Sequence, residues 1–124
     1  MTTIATDAFG RLLIEQVRDP NIASWAGIVK RRAKGSVAGK PIEPILKALS
    51  DEQIEALVPM VTRIVDYTLH DLLYMIEENR WIKVRLEADG IIMPDLREAV
   101  GGGLEGYIFV WAEKFGTFAV SNQK

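Results

Sequence analysis

The sequence predicts an α+β fold: one mostly helical domain over residues 1–124, organised on a long kinked helix at about 50–79 with a short β-hairpin or strand pair after it. Three observations lead there. Ile54, Leu57, Val58, Val61, Ile64, Val65, Leu69, Leu72, Met75 and Ile76 recur at the spacing of a helix with one buried stripe. After Asn79 the period changes to two, with Ile82, Val84 and Leu86 on one face. At 124 residues and 48% hydrophobic, the chain suits one domain with a real core.

The first helix is expected over 3–18, burying Ile4, Ala5, Ala8, Phe9, Leu12, Leu13 and Val17. Gly10 weakens it by about 1 kcal/mol relative to alanine unless a neighbour packs closely there. Asp19-Pro20 reads as a break, with Asp19 as N-cap and Pro20 as first residue of a second helix. That helix is expected to reach about Ala33 and to bury Ile22, Trp25, Ala26, Ile28 or Val29, and Ala33. A loop follows over 35–43. Pro44 to Leu49 then makes a helical turn or two with Ile45, Leu46 and Leu49 inward.

The long helix has local punctuation at both ends. Ser50 and Gln53 form a capping box, Asp51 and Glu52 sit at the positive pole, and Asn79 is a stop. Pro59 lies inside it, at a cost of roughly 3 kcal/mol in a helix interior. The stripe stays in phase from Leu57 to Val61 to Ile64, which favours one kinked helix over two. Ile64 and Leu72 are placed in the core on this reading.

Trp81 to Glu87 reads as a strand, Ala88-Asp89-Gly90 as a turn, and Ile91 to Met93 as the return. Pro94 to Val100 is a short helix stopped by Gly101. Residues 104–115 fit either period and are assigned to helix. The tail from Ser121 is expected to fray.

Composition bounds function loosely. A net charge of −2 is too small to imply an acidic or basic partner. With no cysteine there is no disulfide, thiolate metal site or thiol nucleophile. No apolar run approaches the roughly 20 residues of a membrane span, and the N-terminus lacks the pattern of a secretory signal. A cytoplasmic protein without membrane contact is expected.

Lys30, Arg31, Arg32 and Lys34, with Lys40, are the basic cluster. Basic residues in a helix's last turn complement its dipole, and no aromatic stacking residues are interleaved, so no nucleic acid is expected. Gly39-Lys40 is followed by Pro41, so it is not a phosphate loop. The one histidine, His70, has tyrosine rather than glutamate three residues before it, so no metal is expected. Ser24, Ser36, Ser50 and Ser121 lack a nucleophile-elbow context. No catalytic residue and no cofactor is assigned. Trp25, Trp81 and Trp111 are expected in or at the edge of the core.

The remaining candidate is the polar side of the long helix. Arg63, Asp66, Tyr67, His70, Tyr74 and Glu77 fall together there, and Asp66 and His70, four apart, are expected to meet. Tyrosine and methionine are favoured at interfaces. The run VDYTLHDLLYMIEEN, a strand, and then GGGLEGYIFVWAEKF resemble a set of small bacterial cytosolic proteins of uncharacterised function. The resemblance covers the C-terminal two-thirds and implies no activity. The expectation is a non-enzymatic protein-interaction module, an adaptor or toxin-neutralising immunity-type protein, with a protein partner or self-association. The alternative is a small-molecule-binding protein or enzyme using the polar face around His70.

Overall fold

The computed structural model describes residues 4–120. The expected start of the first helix at residue 3 and the tail from Ser121 lie outside the described residues. In order, the elements are α1 (Ile4–Leu13), a π-helical turn (Ile14–Arg18), α2 (Asp19–Lys30), a 3-10 turn (Lys40–Ile42) and α3 (Glu43–Lys47). Then come α4 (Asp51–Glu78), β1 (Leu86–Ala88), β2 (Ile91–Met93), α5 (Leu96–Val100), a second 3-10 turn (Leu104–Gly106) and α6 (Tyr107–Phe115).

α4 is the long helix, unbroken through Pro59 for 28 residues. The capping box at Ser50 and Gln53 forms in both directions. Pro59, which removes the donor that the Glu55 carbonyl would otherwise have, is exposed, as is Glu55.

Asp19-Pro20 does not break the chain. α1 runs into α2 through the π-helical turn, in which the Asp19 amide donates to the Ile14 carbonyl five residues back. The widened turn absorbs the proline that an α-helix would reject. The Asn21 side chain donates to the Val17 carbonyl at 2.7 Å. Asp19 is therefore helical (φ −62°) rather than an N-cap, and its carboxylate is used elsewhere.

Two buried clusters lie along the two long rods. One gathers Ile14, Leu69, Leu73 and Ile76 with Leu96, Val100, Leu104, Ile108, Trp111 and Ala112. The other gathers Ile28, Val29, Ala33, Leu46 and Ile54. α4 contributes to both. Gly10 lets the fully buried Trp111 ring pack against α1, since a Cβ there would overlap the ring. The helical assignment of 104–115 holds, as a 3-10 turn followed by α6.

The hairpin is shorter than expected. Its two strands pair antiparallel with Leu86 opposite Met93, across Asp89 (φ 51°) and Gly90 (φ 78°), the left-handed pair of a tight hairpin turn. Ile82, Val84 and Leu86 do pack on the first core cluster.

Several burial expectations are corrected. Ile64, Leu72 and Met75 are exposed, not core, and so are Leu12, Val17 and Ile45. Trp81 is the most exposed tryptophan, at 81%, and Trp25 is partly exposed at 37%; Trp111 alone of the three is fully buried. The reason is the angular width of apolar residues on α4. The buried side runs through Ile54, Leu69, Leu73 and Ile76, about a quarter-turn or more from Ile64.

Candidate functional site

Two side chains at the middle of the molecule settle which face of α4 is inward. Arg18 and Asp66 are both fully buried. Arg18 Nε donates to Asp66 Oδ1 at 2.6 Å and Nη2 to Oδ2 at 3.2 Å, a two-pronged pair. Nη1 donates to Asp19 Oδ1 at 3.0 Å and to the Phe118 carbonyl at 2.8 Å, and Nη2 reaches the Ala119 carbonyl at 3.4 Å. All five guanidinium hydrogens are thereby used. Asp19 Oδ2 also accepts from the Thr117 amide at 2.7 Å. The π-helical turn, α4 and the segment after α6 are tied at one point.

Asp66 is therefore not on a surface and does not meet His70, correcting that expectation. His70 Nδ1 instead lies 3.0 Å from Asp71 Oδ1. Arg63 sits over the Tyr67 ring, 5.1 Å from its centre. Tyr67, His70 and Phe109 of α6 form a ring cluster with centroid separations of 5.5 to 6.0 Å. Tyr74 is exposed one turn further on. Arg63, Tyr67, His70 and Tyr74 thus do share one side of α4, joined by Phe109, which the sequence reading did not include.

Glu77 is drawn into the fold, where its Oε1 accepts from the Leu104 amide at 2.8 Å. Beside it Arg97 closes the C-terminus of α4, donating to the Ile76 carbonyl at 3.0 Å and to the Ile82 carbonyl at 2.8 Å. A cation thereby meets the negative pole of a helix that has no basic residue in its own last turn. Arg97 also pairs with Asp95, whose carboxyl titrates below its usual range because the Arg97 side chain donates to it. In the basic cluster, Arg32 has a structural role: it donates to the Leu46 carbonyl and to Asp51 at the start of α4, both at 2.8 Å. Lys30, Arg31 and Lys34 are exposed.

The outward side of α4 also carries exposed apolar residues. Met60, Ile64, Leu72 and Met75, between 44% and 58% exposed, form a ridge along α4. On one flank stand Arg63, Tyr67 and Tyr74. On the other, between α4 and the α1–α2 rod, lies a groove of about 380 Å³ lined by Val17, Asn21, Trp25, Val61, Ile64, Val65, Thr68 and Leu69. Single exposed apolar residues are ordinary; a ridge of them beside an apolar groove is what singles out this side of α4 as the candidate.

Among the described residues no group of three or more His, Asp or Glu side chains is placed to hold a metal ion, and no helix is long and apolar enough to cross a membrane. No protein-family model, curated protein or solved structure matches the chain.

Proposed function

We propose that this chain is a non-enzymatic protein-interaction module of the adaptor or toxin-neutralising kind, working in the cytoplasm, whose docking surface is the outward side of α4. One observation carries the reading: Ile64, the residue shared by ridge and groove, is 58% exposed at the middle of the longest helix. Burying that ridge against a partner removes apolar area from water, at about 25 cal/mol per Å² before the costs of association. Tyr67 and Tyr74 flank it, and interface energy concentrates in such aromatic side chains.

The alternative, a small-molecule site at the polar face around His70, has a variant in the groove, whose size lies within the range of ligand pockets but whose lining does not include His70. The groove's polar equipment is only Asn21 and Thr68, and the Asn21 amide and the Thr68 hydroxyl both donate to backbone carbonyls of their own helices. The groove therefore offers little to orient a polar substrate, and the interaction reading is preferred.

Photo-crosslinking residues placed singly at positions 64 and 72, with Glu113 of α6 as a control, test the proposal in the cell that makes the protein. Discrete crosslinked protein species at 64 and 72, absent at 113, are expected. No species at 64 or 72, or the same set at all three positions, would overturn it.

A further inference from the structure

We infer that the free edge of β1, continued back through Lys83, takes up an extended acidic segment of a partner protein as an added strand. This surface is distinct from the outward side of α4 and independent of what docks there. Residues 82–85 run without a turn into β1, and exposure alternates along them. Ile82, Val84, Leu86 and Ala88 are half-buried; Trp81, Lys83, Arg85 and Glu87 are exposed.

The main-chain groups alternate too. The tight turn at Asp89 and Gly90 sets Ala88 opposite Ile91 and Leu86 opposite Met93, the pairs that exchange hydrogen bonds beside a two-residue loop. The same side continues back along the chain. There the Leu96 amide donates to the Val84 carbonyl at 3.0 Å, and Arg97 Nη2 to the Ile82 carbonyl at 2.8 Å. The main chain of Ile82, Val84, Leu86 and Ala88 thus faces β2 and α5. Lys83, Arg85 and Glu87 turn theirs the other way. Among the described residues, the amides and carbonyls of Lys83 and Arg85 have no hydrogen-bond partner.

A row of unpaired amides and carbonyls is a template for another strand. The side chains beside it select which strand. From Arg80 to Glu87 there are three cations and one carboxylate, on a chain whose net charge is −2. Arg85 and Glu87 lie 3.6 Å apart with both side chains 59% exposed, a surface pair that leaves the arginine open to a second carboxylate. Trp81 is 81% exposed at the start of the same face. An antiparallel strand reading Glu-x-Glu-x-Tyr sets its carboxylates opposite Arg85 and Lys83 and its tyrosine beside Trp81, the cross-strand pairs that stabilise a ladder. The same cations oppose a second copy: two such edges paired antiparallel about Val84 would set Lys83 against Arg85.

The test adds a capped peptide, Thr-Glu-Thr-Glu-Thr-Tyr-Thr, to the full isotope-labelled chain and follows its amides by NMR. Slowed hydrogen exchange at the Lys83 and Arg85 amides is expected, with shifts centred on residues 81–87. N-methylating the two glutamates keeps their side chains but removes the amides that face β1, and is expected to weaken binding about tenfold. The double variant Lys83→Glu, Arg85→Glu changes exposed side chains only; it is expected to lose the acidic peptide and to bind one with lysine in place of glutamate. No slowing at Lys83 and Arg85 at millimolar peptide, or equal binding of the N-methylated or the lysine peptide by wild type, overturns the inference. Shifts confined to the outward side of α4 overturn it too. So does slowing of the two amides with protein concentration alone, which would make a second copy the added strand.

Discussion

Arg18 and Asp66 are the residues whose loss the fold should feel most. Removing one partner of a buried ion pair leaves a desolvated charge and costs about 3–5 kcal/mol. Asp66→Ala is therefore expected to lower the urea midpoint sharply, whereas His70→Ala, in a surface pair with Asp71, leaves the fold intact. Equal losses in the two variants would contradict the assignment. Gly10→Ala tests the packing of Trp111. Alanine gains about 1 kcal/mol of helix propensity, but overpacking a close contact costs roughly 1–3 kcal/mol. Net destabilisation in a thermal melt is expected. Asp95 carries a pH dependence. Its folded carboxyl titrates below the unfolded value because Arg97 donates to it. The stabilisation is complete above the ordinary carboxylate range, around pH 4, and is lost as pH falls through the folded value. Asp95→Asn should flatten that acid limb of the urea-midpoint profile; an unchanged limb would contradict the pairing.

At the scale of elements, what the sequence revealed depended on whether the signal was local. Both ends of α4 were legible because the Ser50–Gln53 box and Asn79 act within one turn. Which side it buries was not, because apolar residues cover too much of its circumference. Met60, Ile64 and Leu72 keep helical spacing as well as Leu69, Leu73 and Ile76 do. A usable signal lay in the first rod. Ile14, Arg18, Ile22 and Ala26 are spaced by four, so the arginine stands inside an apolar stripe and needs a buried acid. Asp66 stands likewise among Leu69 and Leu73. The continuity of α1 and α2 was hidden, because Asp19-Pro20 is also a fine helix start and nothing local announces a π-helical turn. Of the candidate face, Arg63, Tyr67, His70 and Tyr74 were legible from angular position alone. Phe109 was not, because it arrives from α6. The face assignment makes a prediction. Leu73→Ala should cost about 2–5 kcal/mol, as deletions in a packed core do. Ile64→Ala and Leu72→Ala should each stay within about 0.5 kcal/mol when the chain is monomeric.

Across the whole molecule, three arginines far apart in sequence hold the helices in place. Arg18 joins the first rod to α4 and the closing segment, Arg32 joins the end of α2 to the start of α4, and Arg97 closes the end of α4. With α4 held at its start, middle and end, its inward side builds both core clusters and its outward side is left exposed. Urea titration of wild type, of the Ile64→Asp, Leu72→Asp double variant and of Leu73→Asp tests that division most directly. The account predicts a double-variant midpoint close to that of wild type, and a sharp loss in Leu73→Asp, whose side chain is buried. A double-variant midpoint as low as that of Leu73→Asp would place Ile64 and Leu72 in the core and contradict it.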